Sequence, residues 1–171
     1  MKCKKYKPLP PQRLFHLLTE SRRVLLLPKG CGKTKATAIE SIYLSVGMSS
    51  ASIETPILGL LFNNDGFLQK ELEETITSNI MDKVDPFGVT EGVLNTIKFS
   101  NGSIIELGCE GKPNLYTRYN FVAFDMLPSK SLYELATKDL RSDGLVWLSI
   151  HPSDWANTPW LHKEFKIVNE A

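Results

Sequence analysis

The chain has few cysteines, and those it has are far apart. Its 171 residues include only Cys3, Cys31 and Cys109, and no Cys-x-x-Cys pair occurs. An odd number of widely spaced cysteines argues against a zinc site or a disulfide framework and fits a reducing compartment. The sequence also has no internal repeat and no low-complexity tract.

Long apolar runs and a strong excess of one charge are absent as well. No run reaches the roughly 18 residues of a membrane span, and no apolar segment follows the first lysines as in a signal peptide. The formal net charge is +1, which gives the whole molecule no electrostatic preference for nucleic acid. Four lysines within residues 1–7 form either a solvated terminus or an arm that contacts phosphates. We expect a basic, proline-rich lead over residues 1–10 and a single domain over residues 11–171.

Short apolar runs alternate with helical patterns along the chain. Buried strands are predicted at 24–27, 57–62, 121–125 and 145–150, and helices at 12–19, 33–44, 67–79 and 132–140. Alternating segments on either side of Asn101-Gly102 predict a β-hairpin, whereas residues 82–94 look irregular. This order predicts an α/β fold with a mainly parallel central sheet flanked by helices.

The segment Pro28-Lys29-Gly30-Cys31-Gly32-Lys33-Thr34 lies between the first predicted strand and the helix that follows it. It matches the second half of the P-loop pattern Gly-x-x-x-x-Gly-Lys-Ser/Thr, although the first glycine position falls on Leu27. In such a loop the backbone N–H groups point at the β-phosphate of ATP, the lysine reaches the β- and γ-phosphates, and the threonine hydroxyl binds Mg²⁺. The alternative is a chance Gly-Lys-Thr turn before a helix.

Asp125 follows four apolar residues at the end of a predicted strand. A second Mg²⁺ ligand of a P-loop ATPase usually lies at such a strand end, so Asp125 is the candidate, with an ordinary turn aspartate as the alternative. ATPases of this broad type usually have a glutamate at the next position, where it polarises the attacking water. Here that position is Met126, which cannot accept a proton. The carboxylates of Glu106, Glu110 and Glu134 do not have the spacing to replace it.

Four features follow one another over residues 11–165. Pro-Pro-Gln ends at Gln12, the loop 28–34 comes next, and the hairpin leads into Phe-Val-Ala-Phe-Asp. Arg141-Ser-Asp-Gly then leads into Leu-Ser-Ile-His-Pro and Trp-Leu-His-Lys-Glu-Phe. In this order they resemble the ATPase domain of the terminase large subunit, the DNA-packaging motor of tailed phages.

The resemblance implies a RecA-like P-loop NTPase that couples hydrolysis of Mg²⁺-bound ATP to packaging of double-stranded viral DNA. It implies that Gln12 reads adenine and that Lys29 occupies the position of the loop where the family has a basic residue. It places His151 at the coupling position, where the family usually has a threonine that senses the γ-phosphate. Arg118 becomes the candidate arginine finger on the ATP of a neighbouring subunit; the alternatives are that Arg118 is an ordinary surface residue and that Lys29 serves instead as the basic sensor in cis. A homo-oligomeric ring in the host cell cytoplasm, with portal and small-subunit partners and no membrane, is expected.

Two departures from the family keep other functions open. Met126 replaces the expected catalytic glutamate, so the alternative is a nucleotide-binding regulatory or assembly module with little hydrolysis. No stretch remains for the nuclease domain that follows in terminases, so we expect that the chain does not cut DNA alone. A small-molecule or nucleotide kinase is disfavoured because the chain lacks an arginine-rich lid, with only five arginines in all.

Overall fold

The protein is described by a computed structural model over residues 6–51, 53–63, 67–79, 96–108 and 118–167. Strands and helices alternate as the sequence predicts. The helices are α1 (Pro10–Leu17), α2 (Lys33–Ser45), α3 (Phe67–Asn79), α4 (Lys130–Thr137), α5 (Pro152–Ala156) and α6 (Leu161–Glu164). The strands are β1 (Arg22–Leu26), β2 (Leu58–Phe62), β3 (Thr96–Lys98), β4 (Ile104–Gly108), β5 (Phe121–Phe124), β6 (Leu145–Ile150) and β7 (Lys166–Ile167).

A seven-stranded sheet runs through the molecule in the order β3-β4-β2-β5-β6-β1-β7. Every neighbouring pair is parallel except β3 and β4, which are antiparallel. The mainly parallel α/β fold predicted from the sequence is therefore confirmed, and so is the hairpin. Gly102 has a φ of +86° in the hairpin turn, a conformation that glycine adopts without strain.

Apolar side chains cover both faces of the sheet, as expected for parallel strands. One face, against α1, α2 and α3, buries Phe15, Leu25, Ile42, Leu61, Phe121 and Trp147. The other, against α4 and α6, buries Val24, Leu60, Val122, Leu148, Tyr133 and Leu161. In the part of the chain that the structure describes, no helix is long and apolar enough to cross a membrane.

The boundaries differ from the predicted ones at the two ends of the chain. Helix α1 begins at Pro10 rather than at Gln12, because proline fits the first helical turn and the Gln12 side chain accepts a hydrogen bond from the Leu9 N–H. The basic, proline-rich lead predicted over residues 1–10 therefore overlaps the helix at Pro10. Residues 155–167, which show no clear pattern in the sequence, form the end of α5, the whole of α6 and the edge strand β7. The segment 82–94 and Glu110 lie outside the described residues.

Candidate nucleotide-binding site

The candidate phosphate loop, residues 28–34, connects the carboxyl end of β1 to helix α2. Gly30 and Gly32 have φ values of +81° and +76°, so both glycines use a backbone conformation that other residues adopt at a cost. Gly32 is the N-cap of α2, and its carbonyl accepts a hydrogen bond from the Ala36 N–H at 3.0 Å. The N–H groups of the first helical turn thus lie at the loop, which is the arrangement that binds phosphate in many proteins.

Lys33 folds back over the candidate phosphate loop. Its Nζ donates hydrogen bonds to the carbonyl oxygens of Leu27 at 2.9 Å and Pro28 at 3.1 Å. Thr34 is half-buried in the first turn of α2, and Lys29 is exposed on the loop. The ammonium group therefore lies beside the loop, where a phosphate oxygen could replace the carbonyl oxygens.

Gln12 connects helix α1 to the same loop. The residue is 3% exposed, and its Nε2 donates hydrogen bonds to the carbonyl oxygens of Cys31 at 3.0 Å and Gly32 at 2.9 Å. Its Oε1 accepts one from the Leu9 N–H at 2.7 Å. Both amide hydrogens donate to the loop. To recognise adenine, Gln12 would have to accept a hydrogen bond on the remaining lone pair of Oε1 or break its bonds to the loop. The loop contact was not predicted from the sequence.

Asp125 follows the carboxyl end of β5, and its N–H donates to the Phe62 carbonyl at 2.8 Å. The side chain is half-buried. The neighbouring Met126 is 9% exposed and belongs to the apolar cluster on the α4 side of the sheet. The position expected to hold a catalytic glutamate is thus occupied by an apolar side chain that contributes to the core.

His151 follows the carboxyl end of β6 and is the N-cap of α5. Its Nδ1 accepts a hydrogen bond from the Ser153 N–H at 3.2 Å and lies 2.8 Å from the Ser153 hydroxyl oxygen. Because a backbone N–H can only donate, Nδ1 is the acceptor and the hydrogen of the neutral ring is on Nε2. The exposed ring therefore has one N–H donor that this cap does not use.

Three consecutive strands bring most of the predicted residues to one edge of the sheet. The order β5-β6-β1 places Asp125, His151 and the candidate phosphate loop after neighbouring carboxyl ends, and the Leu27 N–H donates to the Ile150 carbonyl at 3.3 Å. Ligands of open α/β sheets bind at this edge. Arg118 is exposed and precedes β5 by three residues, so it lies at the opposite edge of the sheet.

Solved structures of phage proteins have the same fold. The HK97 bacteriophage large terminase matches with a TM-score of 0.65 and 12% identity over 85% of this chain. A large terminase from a thermophilic bacteriophage, solved in complex with ATP-gamma-S, gives a TM-score of 0.60 and 13% identity over 86% of the chain. The ATPase domain of the Thermus phage P74-26 large terminase gives 0.55 and 18% over 85%.

The chain has the fold of phage large terminases. The resemblance found in the sequence is thereby confirmed for the architecture. No protein-family model and no curated protein sequence matches the chain. It spans 33% of the HK97 protein, 38% of the ATP-gamma-S-bound terminase and 65% of the P74-26 domain.

Two buried polar contacts of this terminase-like fold were missed by the sequence analysis. Arg23 in β1 forms an ion pair with Glu40 in α2 at 2.6 Å, with both side chains buried. The hydroxyl groups of Thr37 in α2 and Ser149 in β6 lie 2.7 Å apart. Each of these polar residues lies in or beside an apolar strand or helical segment. A polar residue in such a segment is expected to have a buried hydrogen-bond partner. Among the described residues, no group of three or more His, Cys, Asp or Glu side chains could hold a metal ion by itself.

Proposed function

We propose that this chain is an ATP-binding motor domain that resembles the terminase large subunit and couples ATP hydrolysis to packaging of double-stranded viral DNA. The observation that carries the proposal is the shared sheet edge at which Asp125, His151 and the candidate phosphate loop follow β5, β6 and β1. The fold it shares with large terminases, one of them solved with ATP-gamma-S, supports this function.

ATP binds with its β- and γ-phosphates in the candidate phosphate loop. Lys33 exchanges the carbonyl oxygens of Leu27 and Pro28 for phosphate oxygens, and the N–H groups from Gly30 to Thr34 donate to the β-phosphate. Lys29, exposed on the loop, is the alternative to an arginine finger, as a basic sensor in cis. These groups stabilise negative charge that grows during phosphoryl transfer.

Mg²⁺ is implied by this chemistry, and the oxygen donors fit it. Thr34 would supply a hydroxyl and Asp125 a half-buried carboxylate to the ion, beside phosphate and water oxygens, which are ligands that Mg²⁺ prefers. When bound, the ion would offset the phosphate charge. Two protein ligands suffice in such sites, so the absence of a larger acidic cluster among the described residues is compatible with it.

The chemical step lacks its usual base in this chain. His151, with Nε2–H as donor, takes the place of the γ-phosphate sensor, but Met126 cannot orient a water molecule. The second candidate function is therefore a nucleotide-binding regulatory or assembly module with little hydrolysis. The buried, apolar setting of Met126 is the observation that favours it.

A ring of subunits in the cytoplasm of the infected cell, with portal and small-subunit partners, completes the motor proposal. Arg118 lies at the edge of the sheet opposite the candidate phosphate loop, so it cannot serve the ATP of its own subunit. It serves instead as the arginine finger of a neighbour. DNA passes through the ring and stimulates turnover.

The deciding experiment measures binding of Mg²⁺-ATP and its steady-state hydrolysis, with and without double-stranded DNA, in the wild type and in Lys33→Ala. Binding with DNA-stimulated hydrolysis supports the motor, whereas binding without turnover supports the module. Unchanged ATP affinity in Lys33→Ala would rule out the candidate phosphate loop as the site. The exposed Lys163→Ala is the control for the loss of a positive charge elsewhere.

A further inference from the structure

Helix α1 runs beside helix α2 and contacts it at two levels. Gln12 and His16 are four residues apart and lie on the same face of α1, one turn from each other. Gln12 reaches the carbonyl oxygens of Cys31 and Gly32 just before α2, and His16 Nδ1 lies 2.7 Å from Glu40 Oε2 in the middle of α2. One turn of α1 therefore contacts the loop just before α2, and the next turn contacts the middle of α2.

Glu40 is the centre of a buried charged network. Its Oε1 accepts hydrogen bonds from Arg23 Nη2 at 2.6 Å and from the Ser49 hydroxyl at 3.0 Å, and its Oε2 contacts His16. Arg23 Nη1 donates to the carbonyl oxygens of Phe15 and Leu18, at the C-terminal end of α1. The network thus contacts the C-terminal end of α1 through the carbonyl oxygens of Phe15 and Leu18 and through the side chain of His16. His16 lies one turn beyond Gln12.

The protonation states fit this arrangement. Burial by itself would raise the pKa of Glu40, but the hydrogen bond from His16 and the charge of Arg23 lower it below its usual value. The carboxylate is therefore ionised and accepts from His16 Nδ1–H. On the other side of the ring, the Tyr6 hydroxyl lies 3.0 Å from His16 Nε2, and burial raises the pKa of Tyr6, so it remains a neutral phenol.

A buried network of this kind is an expensive way to join two helices. Moving an ion pair out of water costs several kcal/mol, and well-packed apolar residues often stabilise a fold as much or more. The charged groups instead fix the orientation of α1 relative to α2, because each hydrogen bond requires its donor to lie opposite its acceptor. The group whose position is fixed here is the Gln12 amide, because Gln12 lies one turn from His16 on the same face of α1 and is buried with its hydrogen bonds to the loop.

We infer that His16, Glu40 and Arg23 are positioning residues that hold α1 against α2, and so keep the Gln12 amide on the carbonyl oxygens of the candidate phosphate loop. This inference rests on the proposed binding of ATP by that loop. The network sets the shape of the loop before the nucleotide arrives: His16 acts on the loop through Gln12, whereas the Arg23–Glu40 pair also joins β1 to α2 on either side of it.

The test is a double-mutant cycle on the dissociation constant for Mg²⁺-ATP. The proteins are the wild type, Gln12→Ala, His16→Leu and the double variant. His16→Leu is expected to weaken binding about fivefold when Gln12 is present and to have little effect when Gln12 is replaced by alanine, because the effects of substituting coupled residues are not additive. His16→Asn, which keeps a donor close to the position of Nδ1, should restore most of the affinity.

Two further variants separate positioning from stability. Tyr119→Phe removes a 2.6 Å hydrogen bond to Glu106, away from α1, and should lower the melting temperature without changing the ATP affinity. If His16→Leu does not fold, the cycle is run with Tyr6→Phe, which removes only the outer hydrogen bond to His16 and should weaken binding less.

The outcomes are distinct. Full additivity of the Gln12 and His16 effects, or an unchanged affinity in a folded His16→Leu, would overturn the inference while leaving ATP binding intact. A wild-type protein that does not bind Mg²⁺-ATP would overturn the proposed function and this inference with it. Equal losses of ATP affinity in His16→Asn and His16→Leu would show that the hydrogen bond from residue 16 to Glu40 does not position Gln12, and would overturn the inference.

Discussion

The hydroxyl oxygens of Thr37 and Ser149 lie 2.7 Å apart, and both side chains are buried. Thr37 is one turn beyond Thr34 in α2, and Ser149 is two residues before His151 in β6. The pair therefore joins the helix that follows the candidate phosphate loop to the strand that leads to His151.

The effects of removing the two hydroxyls of this pair on stability should be coupled. Thr37→Val leaves the Ser149 hydroxyl buried without its partner, for which we expect a loss of about 1–3 kcal/mol in the free energy of unfolding. The double variant Thr37→Val/Ser149→Ala should lose less than the sum of the two single variants. Urea denaturation measures this, with Thr137→Val, which loses a half-buried hydroxyl, as the control. Strict additivity would contradict the prediction.

Gly32→Ala and Gly30→Ala should differ in their effect on ATP binding. Both glycines have positive φ, so each alanine strains the backbone by about 1–2 kcal/mol. Only at Gly32 would the new Cβ lie 2.8 Å from Gln12 Nε2, whereas at Gly30 it meets no atom within 4 Å. We expect the larger loss of ATP affinity in Gly32→Ala, measured by calorimetry. Equal losses would mean that the Gln12 contact does not constrain the loop.

Met126→Glu should separate the two candidate functions. A carboxylate at this buried position follows Asp125 directly and would supply the missing base for water. If the chain is a blocked motor, we expect DNA-stimulated ATP hydrolysis to rise, with a loss of about 1–3 kcal/mol of stability from the altered core. Met126→Gln, which cannot ionise, is the matched control. Tight ATP binding without any gain in hydrolysis would favour the module.

Arg118→Ala should leave ATP binding unchanged and lower hydrolysis about tenfold or more, since an arginine finger acts only in the transition state. Because Arg118 and the candidate phosphate loop lie at opposite edges, mixtures of Arg118→Ala and Lys33→Ala subunits should recover part of the activity. The readout is ATPase rate against mixing ratio. Arg141→Ala, an exposed arginine near the same edge, is the control. No recovery in the mixture would argue against a finger supplied by the neighbour.

The Glu40 carboxylate should make folding stability sensitive to acid. Folding lowers the pKa of Glu40 from its usual 4.5, so the ionised group stabilises the fold above that pH. This contribution is lost as the pH falls through the folded-state pKa. The wild type should therefore lose stability more steeply below about pH 4.5 than Glu40→Gln does. Melting curves from neutral to acid pH measure the difference, and the exposed Glu134→Gln should keep the wild-type slope.

Much of the fold could be predicted because its signals are local. Four-to-six-residue apolar runs indicated the buried strands, and Asn101-Gly102 indicated the hairpin. The start of α1 was placed too late because prolines in a first helical turn look like an extended segment. Helices α5 and α6 are too short to show a helical period.

The residues of the candidate site were found as separate motifs, but their connections were not. Gln12 and the loop are 20 residues apart, and Arg23 and Glu40 are 17 apart, so no local pattern joins them. A single arginine or glutamate usually lies on the surface, and only the assembled core shows that these two are buried partners. The role of each site residue stays a prediction until nucleotide binding is measured.

The two hydrogen bonds of Lys33 to the backbone affect the affinity expected for a phosphate group. Its ammonium group already donates to the carbonyl oxygens of Leu27 and Pro28, so a phosphate at the proposed site would have to compete with the protein's own backbone. The measured affinity is then a difference between two sets of contacts rather than the strength of one. An advantage follows from this competition. At the proposed site, the two carbonyl oxygens would hold the lysine near the place where the phosphates are expected, so the positive charge has hydrogen-bond acceptors in the absence of a nucleotide.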